Sequence, residues 1–202
     1  MKESLNGKNA NNVRNMLPIY IVNNYGQFNH LILRMFRDLD IDAKLIPNST
    51  SPDEIAGSCR GIVIGGGPDI GRSGNSSRYL TLDLPVLGIC LGLHIIAMEY
   101  GGSVRQGKTG GYGPVDVEVV EEGAILSGYP GTISVWASHA DEVAIVPPDF
   151  RLLARSAVCP HEAIAHKDKN IFGLQWHPEV SHTVDGRKVY ENFDAICREH
   201  RP

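Results

Sequence analysis

The sequence has little of what marks a disulfide-rich or zinc-binding protein. Its 202 residues contain four cysteines, and no two of them have Cys-x-x-Cys spacing. Scattered cysteines argue against a disulfide framework and a structural zinc site, and they fit the reducing cytosol. The eight histidines also include no close pair with a third ligand nearby. We therefore expect no metal site and a cytoplasmic protein.

An excess of basic residues is also missing. Lysine and arginine number 19 against 23 acidic residues, which gives a net charge of −4 and argues against binding to nucleic acid or an anionic membrane. Residues 84–98 are apolar apart from His94, but they are fewer than the ~20 residues that a membrane-spanning helix needs. We interpret this run as buried core and expect neither a nucleic-acid nor a membrane partner.

What the sequence does contain is enough apolar material for the core of one domain. Hydrophobic residues make up 42% of the chain. Residues 1–15 are rich in Asn, Lys and Gly, and they lack the apolar segment of a signal peptide. We expect residues 1–15 to be a disordered leader or a remnant of cloning, and we place the folded domain at residues 16–202.

Strand-like and helix-like segments alternate in the first half of the chain. Predicted strands lie at residues 17–22, 43–46, 61–64 and 84–89, and predicted helices at 28–39, after a capping box at 51–54, and at 91–100. The strands are almost wholly apolar, which is typical of parallel strands buried on both faces. This half therefore predicts a mostly parallel central sheet with helices on both faces, and a ligand site at the carboxyl ends of its strands.

The second half has the alternating texture of antiparallel strands. Strands are predicted at residues 115–119, 132–136, 142–146, 151–155, 163–166 and 171–175, followed by an amphipathic helix at 186–200. We expect the last strand to rejoin the main sheet. The predicted fold class is thus α/β, with the central sheet described above plus a small antiparallel sheet.

Residues 88–94 have the pattern of a sharp turn between a strand and a helix, with Cys90 at its apex. Gly88 and Gly92 suit such a turn because no side chain fits where backbone approaches backbone. The start of a helix behind Cys90 favours the thiolate, and the N–H of Leu91 can face an oxyanion formed there. The alternative is a structural cysteine in an apolar strand-helix unit.

A thiolate nucleophile needs a base, and the base needs a partner that orients it. His177 and Glu179 follow the last predicted strand and can fill these two roles. The alternative is a surface loop stiffened by Pro178.

The glycine loop, residues 65–68 with sequence Gly-Gly-Gly-Pro, has two interpretations. A phosphate-binding loop would require Lys and Ser or Thr after the glycines, or a Gly-x-Gly-x-x-Gly pattern, and neither is present. The second interpretation is an oxyanion wall, in which glycines let a backbone N–H approach the reacting carbonyl. We favour the oxyanion wall, with Gly67 donating beside Leu91.

Together, the Cys90 turn, the glycine loop and the His-Pro-Glu segment resemble the class I, or triad, glutamine amidotransferases. The resemblance covers nearly the whole chain after Met16. It implies a flavodoxin-like core and hydrolysis of the glutamine side-chain amide through a thioester. It also implies a triad of Cys90, His177 and Glu179.

Two longer segments narrow the resemblance. Residues 135–141, Val-Trp-Ala-Ser-His-Ala-Asp, and residues 177–183, His-Pro-Glu-Val-Ser-His-Thr, are similar to segments of GMP synthetases. Because the chain ends soon afterwards, we expect a free-standing glutaminase subunit of the archaeal two-subunit type. The resemblance implies a partner, the ATP-pyrophosphatase (synthetase) subunit, which uses ATP and Mg²⁺ to convert XMP to GMP. It implies no cofactor in this chain.

The resemblance also assigns roles around the triad. Gly66, His94, Ser138 and His139 are implied to bind the substrate, and Asp141 and His182 to face the partner. His94 stands where the family usually has Gln, and imidazole lacks the paired donor and acceptor of an amide. The alternative for His94 is a buried histidine bonded to a backbone carbonyl. For the others the alternatives are polar strand ends and solvated loops.

Two other functions remain open on the sequence. One is a different enzyme on the same scaffold, such as a γ-glutamyl hydrolase or peptidase or the glutaminase of another synthetase. The other is a non-catalytic regulatory module that only docks.

Overall fold

Nine strands form one continuous sheet in the computed structural model, which describes residues 16–201. The strands are β1 (Ile19–Asn23), β2 (Ala43–Pro47), β3 (Gly61–Ile64), β4 (Val86–Ile89), β5 (Ser103–Val119), β6 (Thr132–Ile145), β7 (Phe150–Ser156), β8 (Ala163–His166) and β9 (Ile171–Leu174). Their order across the sheet is β2-β1-β3-β4-β9-β8-β7-β5-β6. The predicted leader at 1–15 lies outside the described residues.

The five strands from β2 to β9 in this order are parallel, and the remaining neighbours pair antiparallel. The predicted α/β class is confirmed. The antiparallel part continues the same sheet, because β9 pairs with β4 along one edge and with β8 along the other. The expected return of the last strand to the main sheet is therefore also confirmed.

Helices cover both faces of the sheet. They are α1 (Asn29–Asp38), α2 (Pro52–Ile55), α3 (Leu91–Glu99) and α4 (Arg187–Glu199), with two 3-10 helices at Ile70–Arg72 and Ser76–Thr81. Helices α1 and α4 share one core with the inward side chains of β1, and the rings of Phe36 and Tyr190 meet there at 5.1 Å. Helix α3 belongs to the second core, on the opposite face. No helix within residues 16–201 is long and apolar enough to cross a membrane.

The largest differences from the predicted elements lie in β5 and β6. Strand β5 begins at Ser103, twelve residues before the predicted start, and β6 runs unbroken where two strands were predicted. The two strands pair over most of their length, with irregular register between Gln106 and Gly111. The polar Ser-His-Ala-Asp stretch interrupts the apolar alternation, but the ladder to β5 keeps its backbone extended.

Candidate active site

Adjacent parallel strands bring the predicted nucleophile and base to one edge of the sheet. Strand β4 ends beside β9, with Ile89 opposite Leu174, so the residues that follow both strands emerge at the same place. The backbone N–H of Cys90 donates to the carbonyl of Leu174 at 2.8 Å. His177 follows three residues after Leu174, and its own N–H donates to the carbonyl of Trp136 on β6.

Cys90 occupies a strained turn between β4 and α3. Its backbone angles, φ 53° and ψ −103°, are rare for a residue with a side chain and cost on the order of 1–3 kcal/mol. The turn is tight because Gly88 and Gly92 pack against each other and against β3, where an added Cβ would lie within 2.6 Å of backbone. The side chain is 9% exposed and reaches the cavities described below. Strain of this kind is typical of functional sites.

His177 lies between the sulfur of Cys90 and the carboxylate of Glu179. Its Nδ1 donates to Oε1 of Glu179 at 2.7 Å, and the Cys90 sulfur interacts with the same ring. Burial opposes charge on the imidazole, but Glu179 and Cys90 outweigh it and raise the pKa of His177 to about 10. The ring is further held by an edge contact with Phe28, at 4.9 Å between centroids. This arrangement supports a charged imidazole beside the Cys90 sulfur.

Tyr190 completes the support of Glu179, and sequence reasoning missed it. Its hydroxyl donates to Oε2 of Glu179 at 3.3 Å from helix α4. Burial, and then the charge of Glu179, raise the pKa of Tyr190 well above its usual value, so it stays a donor. Its sequence signal is an aromatic residue on the apolar face of the last helix, which by itself predicts only packing.

Two cavities adjoin Cys90. The larger, about 450 Å³, is lined by Leu91, His94, Ser138, His139 and Asp141 among others. Three of the four predicted substrate-binding residues therefore share it.

The smaller cavity, about 290 Å³, shares Gly67, Pro68, Cys90 and Ser138 with the larger one. Its lining includes His177, Phe28 and Tyr25, and Tyr25 is exposed to solvent. Gly66, the fourth predicted substrate-binding residue, also lines it. An added Cβ at Gly66 would lie 3.4 Å from the His177 ring.

The two residues predicted to face a partner lie apart. Asp141 is exposed at the edge of the larger cavity. His182 is also exposed, but it does not line that cavity and instead packs on the Trp136 ring, with centroids 4.8 Å apart.

The His94 side chain contacts a side chain and not a backbone carbonyl. Its Nε2 lies 2.9 Å from Oε1 of Gln175, whose Nε2 in turn lies 3.9 Å from the Cys90 sulfur. Burial lowers the pKa of His94, which favours the neutral ring. Gln175 ends the predicted strand at 171–175 and received no predicted role. The amide places a weak donor on the sulfur.

His139 leaves one nitrogen available to the larger cavity. Its Nδ1 donates to the carbonyl of Asp141 at 2.9 Å, and its buried Nε2 has no hydrogen-bond partner in the described part of the chain. Burial lowers the pKa of His139, so Nε2 is an acceptor. Buried polar atoms are nearly always satisfied in native proteins, so this atom is suited to a ligand donor.

Among residues 16–201, no group of three His, Cys, Asp or Glu side chains is arranged to hold a metal ion.

Comparisons with known proteins place the chain in a family. The model of the family "Glutamine amidotransferase class-I" matches residues 20–196. A glutamine-hydrolyzing GMP synthase subunit from Methanoregula boonei is 66% identical over 184 residues, which is 91% of this chain and 100% of that protein. The protein of the same name from Methanospirillum hungatei is 63% identical over 182 residues, covering 90% of this chain and 97% of that protein.

A solved structure agrees with these relatives. The crystal structure of a Thermoplasma acidophilum protein, described as the same GMP synthase subunit, superposes with a TM-score of 0.86 at 38% identity, covering 90% of this chain and 94% of that one. The predicted nucleophile at the strained turn, its predicted base and the family match agree. The chain therefore belongs to the class I glutamine amidotransferase family.

Proposed function

We propose that this chain is the glutaminase subunit of a two-subunit GMP synthase. The observation that carries the proposal is the Cys90–His177–Glu179 arrangement at the edge of two cavities, in a chain whose relatives are named as glutamine-hydrolyzing GMP synthase subunits. It hydrolyses the side-chain amide of glutamine and supplies ammonia to a synthetase partner.

The chemistry follows from the geometry around Cys90. The thiolate attacks the amide carbon, and the resulting oxyanion is held by the N–H groups of Leu91 and Gly67. His177 gives its proton to the departing nitrogen, so ammonia leaves and a thioester remains. The neutral imidazole then takes a proton from water, whose oxygen attacks the thioester, and glutamate is released as the thiolate re-forms. Glu179 keeps the proton of Nδ1 in place, so Nε2 is the atom that exchanges protons.

The larger cavity is suited to the amino-acid end of glutamine. Ser138 and His139 come from β6, and His94 comes from α3, so two rigid elements form its walls. The acceptor Nε2 of His139 is available for a substrate N–H. Because Nε2 of His94 is already bonded to Gln175, His94 acts here mainly by shaping the wall and orienting that amide.

The partner in this proposal is the ATP-pyrophosphatase subunit, which uses ATP and Mg²⁺ to aminate XMP. No cofactor is assigned to this chain, and the assembly is placed in the cytoplasm. The exposed Asp141 and His182 are the residues that we propose to face the partner.

The test is ammonia release from glutamine by the wild type and by Cys90→Ala, each with and without the synthetase subunit. We expect the substitution to lower kcat by at least about 10⁴-fold while the circular dichroism spectrum is retained, because alanine tolerates the turn as well as cysteine does. We also expect the synthetase to raise the wild-type rate. A wild type that cleaves γ-glutamyl peptides faster than glutamine, or an unchanged rate in Cys90→Ala, would contradict the proposal.

A further inference from the structure

The Gly66–Gly67 peptide needs a restraint if it is to serve as an oxyanion donor. Glycine populates both positive and negative φ readily, so a peptide between two glycines can rotate at little cost. A rotated peptide would present the carbonyl of Gly66 where the N–H of Gly67 is needed. We propose that Asn29 is a positioning residue that holds this peptide in the donating orientation. The inference rests on the proposed function, because it concerns the same oxyanion.

Asn29 reaches the glycine loop from the first turn of α1. Its side-chain Nδ2 donates to the carbonyl of Gly66 at 3.1 Å and to Oδ1 of Asn23 at 3.0 Å. The residue is 3% exposed, so water offers little competition for either bond. Both hydrogens of the amide are thereby used.

The orientation of the Asn29 amide follows from its neighbours. The backbone N–H of Tyr25 donates to the same side-chain atom of Asn23, at 3.0 Å, so that atom is an oxygen. The atom of Asn29 that faces it must then be the NH₂ group. The same NH₂ group faces Gly66, and it can only donate to a carbonyl there. A rotated peptide would place an N–H against this NH₂ group.

The fixed carbonyl also fixes the neighbouring donor. In a trans peptide the C=O and N–H bonds point in opposite directions, so the N–H of Gly67 points away from Asn29. Gly67 lines both cavities together with Cys90, and Leu91 joins them in the larger one.

The contact between Asn29 and the glycine loop has room only because Gly65 and Gly26 have no side chain. An added Cβ at Gly65 would lie 2.4 Å from Oδ1 of Asn29, and one at Gly26 would lie 2.3 Å from the carbonyl oxygen of Gly66. The glycines therefore let Asn29 and the loop approach each other.

Asn24 provides a matched comparison, because it binds the carbonyl of the preceding residue in the glycine loop. Its Nδ2 donates to the carbonyl of Gly65 at 3.3 Å, and it is as buried as Asn29. The peptide that it restrains carries the N–H of Gly66, which is not a proposed oxyanion donor. The same Asn→Asp change can thus be made at both positions with different expected effects on catalysis.

The test compares Asn29→Asp with Asn24→Asp in the complex with the synthetase. Aspartate keeps the shape of asparagine but replaces the donor with an oxygen that repels the Gly66 carbonyl. We expect Asn29→Asp to lower kcat for glutamine by about 10²- to 10³-fold, the range for a lost oxyanion donor, with KM changed less than about threefold. Alkylation of Cys90 by iodoacetamide forms no oxyanion, so its rate should change less than about threefold. Cys90 is 9% exposed and lines both cavities, whereas the other three cysteines are at most 1% exposed, so alkylation reports on Cys90.

Three results would overturn the inference: kcat within about threefold of the wild type, equal losses of turnover and alkylation, or an equal loss of kcat in Asn24→Asp. A wild type that does not hydrolyse glutamine would instead contradict the proposed function. In that case crystal structures of the wild type and Asn29→Asp decide the inference. A Gly66–Gly67 peptide that rotates in the variant supports it, and an unmoved peptide overturns it.

Discussion

At the scale of single residues, the His177–Glu179 pair places a charge inside the protein. The side chains are 6% and 1% exposed, so the imidazolium depends on its neighbours and not on water. The pKa of His177 is about 10 in the folded chain against an ordinary value of 6.5. Because the folded state binds this proton more tightly than the unfolded state does, the pair stabilises the fold most below pH 6.5. The contribution is lost as the pH rises from 6.5 towards 10.

The first prediction concerns Glu179→Gln. Without the carboxylate, burial favours the neutral His177, so the pH dependence of stability between 6.5 and 10 should flatten. In the wild type the free energy of unfolding should fall by up to about 1.4 kcal/mol per pH unit within this window. Urea unfolding at pH 6.5, 8 and 9.5 measures both curves, with the exposed Glu191→Gln as control. Parallel curves for the wild type and Glu179→Gln would show that His177 is not the titrating group.

The same scale shows which site residues the sequence could predict. Cys90, His177 and Glu179 were predicted because each lies in a short motif, and the adjacent residues of that motif indicate its chemical role. Asn29 and Tyr190 were not, because their partners lie 37 and 11 residues away along the chain and their own neighbours suggest only helix. His94 was recognised as unusual, but its contact with Gln175, 81 residues away, depends on the pairing of β4 with β9.

At the scale of elements, the close approach of α3 to the sheet determines the position of Cys90. An added Cβ at Gly92 would lie 2.1 Å from the carbonyl oxygen of Ile64 on β3. Because α3 begins directly after Cys90, the helix cannot move away from β3 without moving the turn that holds Cys90. Helix α3 is buried over most of its length, from Leu91 to Ala97. Its uniform hydrophobicity predicted the burial, but it could not predict which strand the helix touches.

Gly92→Ala should disturb the contact between α3 and β3. We expect a loss of about 2–4 kcal/mol in the free energy of unfolding from overpacking, and at least about tenfold in kcat because the sulfur moves. Gly131→Ala is the control, since a Cβ there meets nothing within 4 Å, and it should change stability by no more than about 0.5 kcal/mol. Urea unfolding and glutamine turnover provide the two measurements. Wild-type stability in Gly92→Ala would mean that α3 can move away from β3 freely.

At the scale of the whole molecule, a buried ion pair joins the two ends of the domain. The guanidinium of Arg60, just before β3, lies 2.5 Å from Asp194 on α4 and also donates to the carbonyl of Leu17. Arg198 adds a second bond to Asp194 at 2.7 Å from the same helix. Arg60 and Asp194 are 134 residues apart, so no local pattern could predict their contact. Local patterns also could not predict that the parallel and antiparallel strands form one continuous sheet.

The prediction at this scale is that Asp194→Ala destabilises the whole fold. It leaves the guanidinium of Arg60 buried without its carboxylate, which should cost about 3–5 kcal/mol in the free energy of unfolding. Arg198→Ala removes a partner whose side chain is 47% exposed and should cost no more than about 1 kcal/mol. Thermal and urea unfolding of both variants measure the difference. Equal losses would show that the Arg60 charge is not the reason for the pairing.

The parts of the candidate site are held in two different ways, by the main-chain pairing of β4 with β9 and by side-chain hydrogen bonds. The predicted nucleophile and base follow neighbouring strands whose main chains are bonded to each other, and this ladder sets the distance between their backbones. The glycine loop instead depends on the carboxamides of Asn24 and Asn29. Inherited changes at Asn29 can therefore tune turnover while the paired strands stay as they are, whereas changing the distance between the backbones of Cys90 and His177 would require rebuilding the middle of the sheet.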